Sequence, residues 1–449
     1  MGTRNTRNTE KQLDIQRLHL FLEIIPTRPT WSGVPRIPNA SRVPCSRCSK
    51  MSSMDQSKLR AWWAHRQGLD GSLTGRSGAE VLGRTGWARS VGGVSPYLTL
   101  FSRAGLSRES VDAYVAKNQI CELPSARGCT YVLPASDFAL GLAVGQSFNT
   151  DMKTAEKLGV TAKEIEKLCD AIVGALEKTP LDPDGLRDAT GKAVRNLGPE
   201  GKKKGMITTL PVALRKLQTT GEIRRISMNG RLDQQRYKYT VWRPNPLRGF
   251  KLSKEEASTE LARRFFSWIS PASMAEFQTF SALGVKAAQA AAEPLKLEPL
   301  ETGSDLLMLP GDRAKLEAFN PPKDPQYALV ASIDSILLLR RDLKSVLDPK
   351  DFDRQVFVEK DSKPLGGLPY LPSHAILDRG RVVGLWEYDT AADSIAWVAF
   401  GKKDKAMQEA VTRTEQYVRE QLGDARSFSL DSPKSRAPKV AALRKAAGN

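Results

Sequence analysis

The clearest pattern of apolar and polar positions runs from Leu181 to Trp242. Two short helical patterns are followed by a basic hairpin with Asn229-Gly230 at its tip. Leu210, Leu214 and Leu217 fall on one helical face, and Arg215, Lys216 and Gln218 are left outside. Thr208 or Thr209 is expected to cap this helix, Pro211 fits its first turn, and Gly221 stops it. The strands are expected at Glu222 to Met228 and Leu232 to Trp242, joined through a type I′ Asn-Gly turn. Helix, turn, helix and a two-stranded wing make the layout of a winged helix.

The same theme occurs on either side. Upstream, helices are expected over Gln56 to Arg66, Ser77 to Thr85, Pro96 to Arg103 and Ser107 to Lys117, with Ser77 and Ser107 as caps. The β-like runs Ile120 to Leu123 and Cys129 to Leu133 follow. Thr161 to Leu176 is amphipathic, with Ile165, Leu168, Ile172 and Leu176 at helical spacing. Downstream, Ser253 to Ser267 opens with a capping box. Pro271 to Phe280 and Val285 to Ala292 form a helix pair, and Leu295 to Leu300 with Leu306 to Leu309 form a hairpin. Strand patterns then dominate at Tyr327 to Ile333, His374 to Leu377, Arg381 to Tyr388 and Ser394 to Phe400, and Lys405 to Leu422 reads as a closing helix.

The pattern predicts an α+β fold of three tandem winged-helix domains followed by a β-rich C-terminal domain. The expected boundaries are 55–150, 151–250, 251–320 and 321–425, with a basic tail over 426–449. Residues 1–54 are rich in Arg, Pro and Ser and show little periodicity. They read as a disordered or mis-called extension, with a start at Met51 or Met54 as one explanation.

Composition adds charge to this picture. The 449 residues carry a net charge of +18, which favours phosphate-rich partners without naming one. No apolar run reaches membrane-helix length, so no membrane partner is expected. Five cysteines are too few for a disulfide scaffold, and a reducing, cytoplasmic setting is expected, nucleoid-associated in a bacterial cell. Cys45 and Cys48 have no second ligand pair at zinc spacing, so no metal is expected. No P-loop, G-x-S-x-G, H-E-x-x-H or dinucleotide fingerprint is present, and no small-molecule cofactor is expected.

The candidate chemistry is therefore cationic. Lys202, Lys203 and Lys204 precede the recognition helix of the second unit, and Arg215 and Lys216 lie on it. Arg224, Arg225, Arg231 and Arg236 give the wing one sign, although strand alternation spreads them over two faces. Arg127 sits at the first wing. These residues are the expected DNA contacts, made to phosphate rather than to base edges. Trp62 and Trp63, side by side on a helix, are expected to place at least one ring in the core.

Several segments resemble the AlkZ/YcaQ-type winged-helix DNA-binding family over roughly Leu59 to Phe400. They are Arg66-Gln-Gly-Leu69, Arg127-Gly-Cys-Thr-Tyr-Val-Leu-Pro134 with Asp137, Ile333-Asp-Ser-Ile-Leu-Leu-Leu-Arg-Arg-Asp342 and Gly380-Arg-Val-Val-Gly-Leu-Trp386. The resemblance implies a DNA glycosylase that excises alkylated bases through a Gln-x-Gln or Gln-x-Asp motif before the first wing. The corresponding segment here, Arg89-Ser-Val-Gly-Gly-Val-Ser-Pro-Tyr97, holds neither glutamine nor carboxylate, and the family's wing histidine stands as Tyr131. Arg89, Ser90 and Tyr97 are the polar residues left there. The first reading is thus a monomeric binder of duplex or damaged DNA without strong sequence specificity. The alternatives are a glycosylase with a divergent site, a transcription regulator, and a protein-binding module.

Overall fold

Serine caps set two of the first four helices where the sequence places them. The computed structural model describes residues 55–148, 151–234 and 236–448. The expected N-terminal extension and the Cys45/Cys48 pair lie outside them. Helix α1 (Gln56–Arg66) is followed by α2 (Gly78–Thr85), where Ser77 and Glu80 form a reciprocal capping box. A short strand β1 (Ala88–Arg89) leads to α3 (Ser95–Ala104) and to α4 (Arg108–Ala116), which Ser107 caps. Strands β2 (Ile120–Pro124) and β3 (Thr130–Pro134) pair antiparallel, with β1 as the other edge in the order β1-β3-β2. Strand β1 was not legible in the sequence, because two residues carry no period. Both tryptophans of α1 are buried, and their indole N–H groups donate to the carbonyls of Ser270 and Pro271.

Helix α5 (Phe138–Gln146) follows β3, and α6 (Asp151–Glu156) comes after it. Next is α7 (Ala162–Leu176), whose four spaced apolar residues are all buried. Helices α8 (Pro183–Thr190), α9 (Gly198–Lys203) and α10 (Leu210–Thr219) follow. Thr209 precedes α10, but its hydroxyl accepts from the Arg195 N–H and does not cap the helix. Gln218, expected outside, is buried and donates back to the Leu214 carbonyl.

Strands β4 (Ile223–Ser227) and β5 (Tyr237–Val241) pair as expected, but Asn229-Gly230 is not a two-residue turn. Gly230 has positive φ and Asn229 does not, whereas type I′ needs both. The connection from β4 to β5 is longer than a two-residue turn because Leu232 is buried in the main core and its N–H donates to the Tyr97 hydroxyl.

The third helical group contains α11 (Lys254–Ile269), α12 (Met274–Ser281) and α13 (Val285–Ala292). A three-stranded antiparallel sheet accompanies it, formed by β6 (Ala272–Ser273), β7 (Glu298–Pro299) and β8 (Leu306–Met308) in the order β6-β8-β7. After α14 (Asp312–Ala318), strand β9 (Tyr327–Val330) begins the C-terminal part. Helices α15 (Ser335–Arg340) and α16 (Leu343–Val346) and a hairpin of β10 (Gln355–Val358) and β11 (Asp361–Pro364) intervene. A four-stranded antiparallel sheet then closes with β12 (His374–Asp378), β13 (Arg381–Asp389) and β14 (Ser394–Ala399), ordered β14-β13-β12-β9. The content is mixed helix and sheet, as an α+β fold requires.

Helix α17 (Lys405–Tyr417) closes the sheet as the pattern predicts. The expected basic tail, however, contains α18 (Pro433–Ala447), which packs on β13 and β14. Its apolar face is thin, and Pro438 interrupts the helical signal, so periodicity did not reveal it. Arg436 is buried there, donating to Asp424 Oδ1 at 2.6 Å and to the Tyr388 carbonyl.

One hub joins distant parts of the chain. Arg103 and Asp334 are fully buried and bonded through two contacts of 2.7 and 2.9 Å. Gln67 accepts from Arg103 and donates to the carbonyls of Thr85 and Trp268. Thus two of the segments carrying the family resemblance serve packing. Gly93 has a similar duty. A Cβ there would collide with the Ser427 carbonyl oxygen, so only glycine lets the chain at Arg426–Ser427 approach. The Val94 N–H donates to the Arg426 carbonyl and the Ser429 N–H to that of Val91.

Burial on β13 has a consequence for pH. Burial pushes the Glu387 carboxyl up to about 7, against the opposing pull of Lys439. The unfolded chain ionises this group at an ordinary value of 4.5, so its stabilising contribution is full below that and is lost as pH rises to 7. Glu387→Gln should therefore gain stability relative to the parent, by about 1–3 kcal/mol between pH 5 and pH 7.5. Urea unfolding at the two pH values checks this, and a difference independent of pH would refute it.

Candidate nucleic-acid interface and carboxylate site

Strand pairing brings to Ser90 what its own segment lacks. Its N–H donates to the Thr130 carbonyl, which continues the β1–β3 ladder by one residue. Its hydroxyl donates to Glu122 Oε1 on β2 at 2.5 Å. Ser90 is buried, while Glu122 is half-buried and lines two adjoining cavities of about 200 and 320 Å³. The larger separates the first sheet from the second helical group, with Thr130, Arg187, Arg215 and Arg225 also on its walls. A carboxylate with one oxygen fixed by a hydroxyl can orient or deprotonate a water through the other. Sequence reading missed Glu122, since it lies outside the segment and looks like any polar strand residue.

The opposite face of the same sheet is cationic and aromatic. Arg89 on β1 pairs in register with Tyr131 on β3, and its guanidinium lies 5.3 Å from the ring centroid. Trp87, Tyr131, Trp268 and Phe280 pack edge-on or tilted beneath, with centroids 5.4–6.1 Å apart. Trp87 also donates to Asp137, which pairs with Arg264 at 3.1 Å. Tyr97 is not at the site. Its hydroxyl donates to Asp112, and burial raises its pKa far above the ordinary value.

The expected DNA contacts are distributed unevenly. Lys202, Lys203 and Lys204 are exposed at the end of α9, with Lys203 paired to Glu200. Arg236 is exposed, and Arg224 lines the smaller cavity. Arg225 lies 4.6 Å from the Tyr237 ring centroid, and its Nε is buried without a hydrogen-bond partner. Arg215 pairs with Asp151 at 2.6 Å and Lys216 with Glu166 at 3.7 Å. Arg231 pairs with Asp233 and donates to the Leu422 carbonyl, which ties the loop to the body. Arg127 donates to the Thr279 carbonyl. Glu122 shares the smaller cavity with Arg224 and Arg225, so β4 brings cations beside the carboxylate on β2.

Among the described residues no group of three His, Cys, Asp or Glu side chains could hold a metal. None of their helices is long and apolar enough to cross a membrane.

Comparison with known proteins gives two findings. A solved structure, DNA glycosylase AlkZ of Streptomyces sahachiroi, superposes with a TM-score of 0.60 at 19% identity, covering 83% of this chain and 98% of that one. No curated protein matches the sequence. The family model described as DNA glycosylase AlkZ-like matches residues 93–427, three quarters of the chain, and the chain therefore belongs to the AlkZ-like family.

Proposed function

We propose that the protein is a DNA glycosylase that binds duplex DNA through three winged-helix units and cleaves N-glycosidic bonds at Glu122. The observation that carries this reading is the carboxylate of Glu122, oriented by Ser90 beside a cleft of about 320 Å³. The units are the three helix groups with their small sheets, bounded near residues 150, 250 and 320. The substrate is an alkylated purine, such as N7-alkylguanine, whose positive charge lets it leave without protonation. The nucleotide leaves the stack and enters the cleft. Ser90 holds one oxygen of Glu122, and the other takes a proton from the water whose oxygen bonds C1′; the C1′–N9 bond breaks, and its electron pair leaves with the alkylated base, which departs neutral. The carboxylate charge also stabilises the oxocarbenium-like sugar. Family membership supports the reading, and the absence of the Gln-x-Gln segment is met by a carboxylate from β2, on the far side of β3 in the same sheet.

The test is base release from duplex DNA carrying N7-alkylguanine, read as alkali-dependent strand breaks, with binding followed in the same samples. Breaks above the protein-free control are expected. Binding without breaks on this or related alkylated purines would instead leave a DNA-binding role.

The exposed lysines at α9 supply attraction without sequence information. Replacing Lys202, Lys203 and Lys204 together by Glu should weaken binding to all duplexes alike. The log–log dependence of affinity on salt should also become shallower, by about one in slope for each phosphate that is no longer neutralised. Titration of labelled duplex between 50 and ~200 mM salt measures both, and unchanged curves would remove these lysines from the DNA-binding surface.

A further inference from the structure

Arg89, Arg127 and Arg341 meet around Tyr131 from three separate parts of the chain. Arg89 comes from β1, Arg127 from the bend between β2 and β3, and Arg341 from the end of α15. Arg89 and Arg341 line a small cavity with Tyr131. Each arginine donates to a backbone carbonyl: Arg89 to Thr130, Arg127 to Thr279 and Arg341 to Leu338. Those bonds aim the guanidiniums but do not neutralise them. Among the described residues none of the three forms an ion pair with a carboxylate. Most of the molecule's other arginines that approach this burial do, as Arg103, Arg340 and Arg436 illustrate.

Two further observations bear on the cluster. Arg127 and Arg341 both adopt positive φ, 62° and 51°, a conformation that costs energy for a side chain of this kind. Burial, with Arg127 and Arg89 nearby, also holds the Arg341 guanidinium below its ordinary pKa. Like charges gathered under strain are relieved by an anion, and guanidinium forks match phosphate oxygens.

We propose that Arg89, Arg127 and Arg341 form a clamp for one DNA phosphodiester. The clamp rests on the glycosylase reading above, because it takes the strand whose base enters the cleft. Arg89 and Ser90 are successive residues on an edge strand, so their side chains point to opposite faces of the sheet. The phosphate is held on one face, and the sugar is presented to Glu122 on the other. The grip fixes register for whichever base is extruded, and it reads no sequence.

The experiment uses the full chain and a lesion-bearing duplex in which single phosphates are replaced, one at a time, by neutral methylphosphonate. In the parent protein one backbone position near the lesion should cost about tenfold in affinity, the scale of a charge-assisted hydrogen bond. Arg341→Gln and Arg89→Gln should each lose a similar factor and lower the salt slope by about one. In either variant the sensitive methylphosphonate should cost nothing further.

Parent affinity and slope in both variants would overturn the clamp, as would losses that simply add to the methylphosphonate effect at every position. Thermal melting checks that the variants fold. Arg341→Lys, which keeps the charge but loses the fork, should recover only part of the affinity, and full recovery would overturn bidentate holding. If inorganic phosphate protects the parent against melting but no single backbone position matters, the site takes free phosphate, and the DNA assignment fails. Glu122→Gln separates the two readings. Loss of base release in that variant, with Arg341→Gln behaving as parent, sinks the clamp alone. A parent protein that neither binds nor releases sinks both.

Discussion

Glu122→Gln is expected to lower base release from N7-alkylguanine duplex by about 10²- to 10⁴-fold, the span of a positioned general base, while duplex affinity stays within a factor of two to three. The amide keeps the hydrogen bond from Ser90 and the shape of the site, but it can neither accept a proton nor carry negative charge. Ser90→Ala is the companion. It leaves the carboxylate in place and frees its rotation, so a smaller loss, about tenfold, is expected, because positioning rather than chemistry is removed. Single-turnover release with enzyme in excess measures both without interference from product release. Full activity in Glu122→Gln would remove the proposed base.

Asp334→Ala is expected to destabilise the fold by about 3–5 kcal/mol, the range for breaking one side of a buried ion pair. Asp334 accepts from Arg103 and Thr99 and also caps α15 through the Ile336 N–H. Without it, the Arg103 charge is left fully buried beside Gln67. Replacing both partners, as Arg103→Met with Asp334→Leu, should recover part of the loss, since two apolar groups leave no orphaned charge. The missing α15 cap would remain unrecovered, worth about 1 kcal/mol. Urea midpoints with a constant m-value would establish this, and a single variant as stable as the parent would refute it.

Most elements were legible because their signals are local. Ser77, Ser107 and Ser253 cap helices where the sequence places them, since a cap needs only its own next three residues. The failures arise where distant contacts override local preference. Asn229-Gly230 favours a tight turn, yet Leu232 gains more by burial against Tyr97 and the core, so the loop lengthens. The second site residue, Glu122, became visible only with strand register, because nothing in the sequence pairs residue 90 with residue 122. Charges were read as free that the fold partners: Asp151 for Arg215 and Glu166 for Lys216 come from neighbouring helices. Arg231 is different, as its partner Asp233 is two residues away and could have been suspected. Arg127 and Arg341 lie within segments that carry the family resemblance, but only the folded sheet brings them together with Arg89.

The close approach at Gly93 bears on how the molecule comes into being. The turn that follows Ser90 is fastened by backbone bonds to residues 426 and 429. His374 Nε2 donates to the Ala425 carbonyl in the same region, while its Nδ1 accepts from the Ser332 N–H. The segment that presents Ser90 to Glu122 therefore waits for chain made more than three hundred residues later. Closing a loop of that length is slow relative to forming the helices on either side. Until residues 426–429 are made, the turn after Ser90 lacks these bonds, and the hydroxyl that holds Glu122 is not fixed in place. On the glycosylase reading proposed above, a chain stalled on the ribosome before residue 425 should release no base.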